Sequence, residues 1–416
     1  MFKKQNHDKE VRKITERSNG KCIIKNCNEK NIYSHIISKS ISIDKIAKNN
    51  HLTVFSPGRH GDDKIPRFIP AGVNDNPAFN GFCKNHDNMF ELIDNSEIES
   101  LLGVYLQIYR TISSEAYYLR LGGILYPDID IDVASDFILK STRDELKKTQ
   151  SQIDEERLKK TIEDNKQELI KANNAKNHEL KKSIEAIEVI QEHFFNEIKK
   201  NKEKLENSKL NKNILQVVEI KELNYQIFVY LTDFQIPIAI STLHTFPCDG
   251  DSENNSYSFY IVVPYENSNV IIGVIGGTAH PHIFNKITEV VNSSFSDSFS
   301  VLNFVESLVI SSPDDSFFSP KVIEEMSSEK LLVFTDDCMC LNEFQNSSKY
   351  LSEYDMSIFD NVRRQLINKA STNTYSETLK LARIPTRDDY DKRIIKTKEK
   401  ILHENIILDK LIPSKG

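Results

Sequence analysis

The stretches "CIIKNCNEKNIYSHIISKS" (residues 22–40) and "NGFCKNHDNMFELID" (residues 80–94) contain three of the six cysteines in the chain. The first holds two cysteines separated by four residues, and the second holds a cysteine and a histidine separated by two. Each spacing suits a single turn, and three thiolates with one imidazole complete a tetrahedral site for structural zinc. The predicted zinc ligands are Cys22, Cys27, Cys83 and His86.

The composition is that of a water-soluble protein. The 416 residues are 39% hydrophobic and 28% charged. No run of about 18 apolar residues is present, so we expect no membrane span. The first 21 residues lack the apolar segment of a secretory signal, which predicts a cytoplasmic location. Thiols stay reduced there, so clustered cysteines favour metal binding over disulfides.

The charge is distributed unevenly along the chain. The net charge is −7, yet residues 1–50 carry 12 Lys and Arg against 5 Asp and Glu. A polyanion such as nucleic acid is attracted to this basic end and repelled by the acidic remainder. A short, solvated basic helix at the start of the chain is the alternative explanation.

We predict an α+β multidomain protein with three parts. Residues 1–95 form the zinc-binding unit, residues 96–212 are helical, and residues 213–416 form an α/β domain with a helical tail. Within the first unit, residues 56–79 are rich in Pro, Gly and Asp and are predicted to be loop.

Residues 143–209 combine alternating charge with aliphatic residues at helical intervals. Asn173 and Asn174 interrupt this pattern, which favours two helices in an antiparallel hairpin. One long helix that dimerises as a coiled coil is the alternative. In either case we expect this region to be a spacer, or the contact with a protein partner or a second copy of the chain.

Short runs rich in Val, Ile, Tyr and Phe predict strands in the C-terminal part. Two intervening segments, "HIFNKITEVVNSSF" and "SVLNFVESLVI", have helical spacing. The predicted strands are "NILQVVEI", "YQIFVYL", "IPIAIST", "SYSFYIVVP", "NVIIGVIGG" and "KLLVFTDD".

Residues 20–94 resemble the HNH (ββα-metal) nuclease superfamily. The segment "SHIISKS" (residues 34–40) is similar to the first half of its motif, and "NGFCKNHDNMF" (residues 80–90) to the second. The resemblance implies a ββα-metal fold stabilised by the zinc site. It also implies a phosphodiester endonuclease that hydrolyses nucleic acid.

The resemblance further implies roles for individual residues. His35 is the general base that accepts a proton from the attacking water, and Asn80 orients it. Asp87 is the ligand of a catalytic Mg²⁺ or Mn²⁺ ion, which stabilises the developing charge. Asn80 stands closer to the following cysteine than the asparagine of the family usually does. Asn74 and Asn76 are therefore rivals for its role.

The partner implied by the resemblance and the basic end is nucleic acid, with DNA favoured. The residues that we expect to contact phosphates are Lys21, Lys25, Lys30, Lys39, Arg59 and Arg67.

Two functions follow from this organisation. The first is a metal-dependent endonuclease, used in bacterial antiviral defence and gated by the C-terminal domain. The second is a non-catalytic interaction protein, in which the zinc is structural and the C-terminal domain binds a partner.

Overall fold

The structure is a computed structural model of the chain. It describes residues 20–57, 65–74, 77–125, 156, 160, 166–248, 251–276, 281–346, 354 and 356–369.

A two-stranded antiparallel sheet carries both motif stretches. Strand β1 (Asn31–His35) pairs with β4 (Ala78–Cys83), so that His35 lies opposite Ala78. Helix α1 (Asp44–Ile46) follows β1 after a short π-helical turn, and α2 (Lys84–Asp87) follows β4 directly. The two strands and α2 therefore form a ββα unit whose strands are 42 residues apart in the sequence.

A larger sheet of eight strands forms the centre of the fold. Its order is β3-β2-β10-β7-β8-β9-β6-β5, and every neighbouring pair is antiparallel. Its strands are β2 (His51–Ser56), β3 (Arg67–Gly72), β5 (Gln216–Ile220), β6 (Tyr225–Leu231), β7 (Ile238–Cys248), β8 (Asp251–Pro264), β9 (Asn269–Gly276) and β10 (Ser316–Phe318).

Burial explains the sequence patterns of these strands. All eight residues of β9 are buried, and the strand reads as a continuous apolar run because both of its faces are covered. At the edge, β5 alternates between exposed and less exposed positions over residues 216–219. The five strands predicted between residues 213 and 276 are confirmed.

The predicted loop at residues 56–79 contains a strand, so that prediction is wrong. Strand β3 pairs with β2 along its whole length, and Thr53 faces Pro70. A proline is tolerated here because β3 is an edge strand, where one backbone N–H has no partner to lose. Strand β2 in turn pairs with β10, so sheet hydrogen bonds join residues 51–56 to residues 316–318. The domain boundaries after residues 95 and 212 stay predictions, and this sheet crosses both of them.

Ten α-helices occur among the described residues. Helix α7 (Ser298–Ser311) is buried from Val301 to Ile310, and the Asp297 carboxylate caps it by accepting from the amides of Phe299 and Ser300. The remaining helices follow in chain order. They are α3 (Glu91–Asn95), α4 (Leu101–Leu125), α5 (Lys166–Asn207), α6 (Pro281–Ser294), α7 (Ser298–Ser311), α8 (Pro320–Glu324), α9 (Ser328–Asn346) and α10 (Asp360–Lys369).

Helix α5 passes through Asn173 and Asn174, so the predicted interruption is wrong. Its backbone departs from helical geometry at Asn201 instead, with φ −117° and ψ 19°. A single asparagine costs a helix less than about 1 kcal/mol, too little to end one of 42 residues. Most of residues 143–165 lie outside the described part of the chain, so the hairpin and its dimeric alternative stay predictions.

The segment "KLLVFTDD" is helical, and its prediction as a strand is also wrong. It lies in α9, where Val333, Phe334 and Cys338 are buried. These positions share one helical face, whereas a strand would place 333 and 334 on opposite faces. A short apolar run does not distinguish a buried strand from a buried helix.

The chain forms two compact units. One contains residues 1–118 and 186–390, and the other contains residues 119–185 and 391–416. Among the described residues, no helix combines the length and the hydropathy needed to cross a bilayer.

An ion pair inside the first unit anchors α10. The guanidinium of Arg363 donates to Glu306 on α7 and to Asn303, and both charged side chains have zero exposure. The second Glu306 oxygen accepts from the backbone amides of Ile358 and Phe359, at 2.7 and 3.1 Å. Both oxygens of this carboxylate are therefore hydrogen-bonded, as a buried charge requires.

We predict that Arg363→Met lowers the free energy of unfolding by about 3–5 kcal/mol, because it leaves the Glu306 charge buried without a partner. The double variant Glu306→Gln/Arg363→Met should recover part of that loss, since no charge then remains buried. Urea unfolding of both variants measures the difference. A double variant less stable than Arg363→Met would contradict the explanation.

Candidate metal centre

The four predicted zinc ligands converge. The Sγ atoms of Cys22, Cys27 and Cys83 and a ring nitrogen of His86 all lie within 4.8 Å of one another. The Nδ1 atom of His86 is 3.3 Å from both the Cys22 and the Cys83 sulfur. The Cys27 and Cys83 sulfurs are 3.8 Å apart. Residues separated by up to 64 positions in the sequence thus face one point.

These distances fit a tetrahedral zinc ion. Bonds of about 2.3 Å to sulfur and about 2.1 Å to nitrogen place two sulfurs roughly 3.8 Å apart, and sulfur and nitrogen roughly 3.6 Å apart. The observed separations of 3.8 and 3.3 Å are close to both values. The donor set of three thiols and one imidazole is also one that zinc prefers. A metal such as zinc can therefore be held here.

A tight turn presents the first two cysteines. The amide of Cys22 donates to the Glu29 carbonyl at 2.9 Å, and the amide of Cys27 donates to the Ile24 carbonyl at 3.0 Å. Between them, Asn26 has φ 66°, a left-handed conformation that asparagine adopts more readily than most residues. The turn therefore directs both thiols to the same side.

The other two ligands come from the junction of β4 and α2. Cys83 ends the strand and is the N-cap of the helix, which places His86 one turn later. Burial, followed by the positive charge of Lys199, lowers the pKa of His86. The imidazole is thus kept neutral, which is the form that binds a metal.

His35 lies at the end of β1, outside this cluster. Its Nε2 atom is 3.2 Å from the Val73 carbonyl oxygen. A carbonyl only accepts, so the neutral ring must carry its proton on Nε2, leaving Nδ1 as the basic atom. Burial, which outweighs the opposing effect of the Val73 hydrogen bond, lowers the pKa of His35 from its ordinary 6.5. The free imidazole is therefore favoured at neutral pH.

The asparagines predicted to orient His35 occupy different places. Asn80 lies on β4 opposite Tyr33, its carbonyl accepts from Asn31 at 2.8 Å, and its side chain bonds the Tyr117 hydroxyl. Asn74 is exposed, and it directly follows Val73, whose carbonyl contacts His35. Asn76 lies outside the described residues. The orienting role of Asn80 stays a prediction.

The other predicted site residues that the structure describes lie outside the four-ligand cluster. Asp87 ends α2 next to His86, is half-buried and is not part of the four-ligand cluster. Lys21 donates to Asn28, Lys25 to Glu192 and Lys39 to Asp44, while Lys30 and Arg67 are exposed. Arg59 lies outside the described residues. Exposed contacts of this kind are worth at most about 1 kcal/mol, so Lys21, Lys25 and Lys39 can exchange these partners for others.

Helix α4 supplies support that the sequence did not reveal. The Gln107 amide donates to the carbonyl of Ile36, next to His35, at 2.9 Å. One turn later, the buried Arg110 binds both oxygens of Asp94, at 2.8 and 2.6 Å. Gln107 and Arg110 are polar residues within an otherwise apolar helix, which is a sequence signal for buried polar contacts. The partner of each depends on the fold.

A pair of acidic residues without a basic partner lies elsewhere in the same unit. Burial, followed by the nearby carboxylate of Asp315, raises the pKa of Glu115 to about 8. Burial likewise raises the pKa of Asp315 to about 6, although Thr242 donates to it at 2.9 Å. Within the described residues, neither carboxyl group forms an ion pair.

Comparison of this chain with protein-family models, with curated proteins and with solved structures finds no match.

We predict that the purified protein contains about one zinc ion per chain. The double variant Cys22→Ser/Cys83→Ser should lose it, because serine hydroxyls are poor zinc ligands. Cys338→Ser is the matched control, since Cys338 is equally buried but lies on α9, outside the cluster. Elemental analysis decides the result. Zinc retained by the double variant would rule out this ligand set.

A second prediction concerns pH. The unfolded chain loses the Glu115 proton near pH 4.5, whereas the folded chain keeps it until about pH 8. The Glu115 contribution to stability therefore falls as the pH rises between these values. Glu115→Gln should lessen the loss of stability over this interval, and the exposed Glu203→Gln should not. Thermal unfolding at several pH values measures both slopes. Equal slopes in the wild type and Glu115→Gln would show that Glu115 titrates normally.

Proposed function

We propose that this protein is a metal-dependent endonuclease of the HNH type, acting on nucleic acid and preferentially on DNA. The observation that carries the proposal is the position and the hydrogen bonding of His35. This histidine stands at the end of the first strand of a ββα unit. It takes no part in the metal cluster, and its backbone contact leaves Nδ1 as a free base.

The arrangement of the ββα unit supports the proposal. Strands β1 and β4 are antiparallel, α2 follows without a linker, and the cysteine and histidine ligands lie where β4 meets α2. The sequence resemblance to HNH nucleases implies this order of elements. His35 is not among the four residues that could hold a metal, which supports a separate role for it.

In the proposed reaction, His35 Nδ1 accepts a proton from the water that attacks phosphorus. The lowered pKa of His35 keeps this atom unprotonated at neutral pH. The Val73 carbonyl holds the ring so that Nδ1 faces away from it. Asp87 is the proposed ligand of the catalytic Mg²⁺ or Mn²⁺ ion, which when bound stabilises charge on the phosphate and the leaving oxygen.

Nucleic acid would reach the site across the basic face of the ββα unit. Three of the residues expected to contact phosphates, Lys21, Lys25 and Lys39, bind polar or acidic neighbours at the surface. Phosphate oxygens can replace such neighbours at little cost. Gating by the C-terminal strands and a role in antiviral defence are further parts of the proposal, drawn from the predicted architecture.

His35→Ala should reduce cleavage of plasmid DNA at least about 10²-fold, the usual value of a general base. Zinc content and thermal stability should be unchanged. His193→Ala is the matched control, since His193 is also half-buried but lies on α5, outside the ββα unit and the β2–β3 pair. Assays with Mg²⁺ or Mn²⁺ and either plasmid DNA or single-stranded RNA identify the substrate.

Asp87→Ala should lose activity that excess Mn²⁺ partly restores, whereas His35→Ala should not respond to Mn²⁺. Zinc must be measured in this variant, because Asp87 adjoins His86. Cleavage by His35→Ala at the wild-type rate would refute the choice of base. No cleavage of either substrate by the wild type would favour the non-catalytic interaction protein.

A further inference from the structure

We infer that the β2–β3 pair is a positioning element, through which the eight-stranded sheet sets the orientation of the His35 side chain. The pair is inserted between the two strands of the ββα unit and hydrogen-bonds to β10. The inference deepens the proposed function, because it assigns a means of regulating the same histidine. The mechanical link itself can be tested without any cleavage activity.

The first step is the residue that holds His35. Val73 directly follows β3, and its carbonyl oxygen is 3.2 Å from His35 Nε2. Its amide donates to the Asn50 carbonyl at 3.1 Å, which extends the β2–β3 ladder by one more pair. Val73 is only 1% exposed. The atom that orients the imidazole is therefore part of this strand pair.

The second step is the attachment of the pair to the large sheet. Strand β2 pairs with β10 through two residue pairs, Phe317 with Val54 and Phe318 with Thr53. Strand β10 then pairs with β7 over its three residues. Because this attachment is so short, small changes in the sheet should alter the position of β2.

The third step is an aromatic contact that supports the attachment. The ring of Phe68 on β3 lies 5.6 Å from Phe318 on β10 and stacks at 5.0 Å on Phe334 of α9. Phe318 and Phe334 are both completely buried. Aromatic pairs of this kind contribute roughly 0.5–1.5 kcal/mol beyond their buried area. The ring contacts of Phe68 thus join β3 to β10 and to α9.

These contacts form one continuous path. A shift of β10 or α9 moves Phe68 and with it β3, and the end of β3 carries the Val73 carbonyl. When that carbonyl withdraws, the Nε2 proton of His35 loses its acceptor, and the ring is free to rotate or to change tautomer. The base atom is then no longer held in one place, which would lower the rate of the proposed hydrolysis.

The path can be tested by measuring the tautomer and the pKa of His35. We would label histidine with ¹³C and ¹⁵N, assign His35 with a His35→Gln variant, and record the tautomer and the pKa by NMR. The wild type should show the Nε2–H tautomer and a pKa below 6.5. Phe318→Leu should give a mixture of tautomers. Its His35 pKa should differ from that of the wild type, because burial and the Val73 hydrogen bond are the two largest influences on it.

Phe259→Leu is the matched control. Phe259 is also completely buried in the same sheet, but it lies on β8 and has no part in the β2–β10 contact. It should lower the melting temperature to a similar degree while leaving the His35 tautomer and pKa unchanged. Phe68→Leu, on the edge strand, is the second test variant if Phe318→Leu does not fold.

The outcomes separate this inference from the proposed function. If His35 keeps its tautomer and pKa in both test variants, or if the wild type lacks the Nε2–H tautomer, the inference is overturned. The same result in Phe259→Leu as in Phe318→Leu would also overturn it, since general loosening would then be the cause. If the protein never cleaves nucleic acid but shows the expected NMR changes, the proposed function is refuted and the present inference stands.

Discussion

A two-stranded sheet is marginally stable in water, and the β1–β4 pair is held from several sides. The convergent cysteines and histidine stand at one end of it. The Gln107 side chain of α4 binds the backbone beyond β1, and the buried Phe82 of β4 packs on Phe90 and Tyr109. Val73 completes the support beside His35. The geometry of the candidate site therefore depends on contacts that the two strands cannot make for themselves.

The insertion between β1 and β4 has consequences for both stability and function. It contributes β2 and β3 to the edge of the eight-stranded sheet. The ββα unit and the strands from the C-terminal half thus share one compact unit. In such a fold, a change in the sheet reaches the histidine by displacement of packed strands and needs no separate linker. The same continuity makes folding of the candidate site depend on strands more than 200 residues away.

The buried charges of this unit fall into two kinds. Glu306 and Arg363 compensate each other, and the carboxylate also accepts two backbone amides, so the pair holds the α10 segment against α7. Glu115 and Asp315 lack a cation among the described residues, and their pKa values rise. The raised pKa of Glu115 makes the stability of the protein depend on pH. Burial with and without a partner explains the difference.

The sequence by itself determined the four residues that could hold a metal, the five strands from 213 to 276 and the two helices that follow, because spacing and apolar runs are local properties. It did not determine β3 or the helical state of residues 328–346, where a proline and a short apolar run left the local pattern ambiguous. Only the tertiary structure decided that β2 pairs with β10 and that the Val73 carbonyl meets His35. Hydrogen-bond partners from distant segments are chosen by the packing of the whole chain, and every backbone carbonyl looks alike in a sequence.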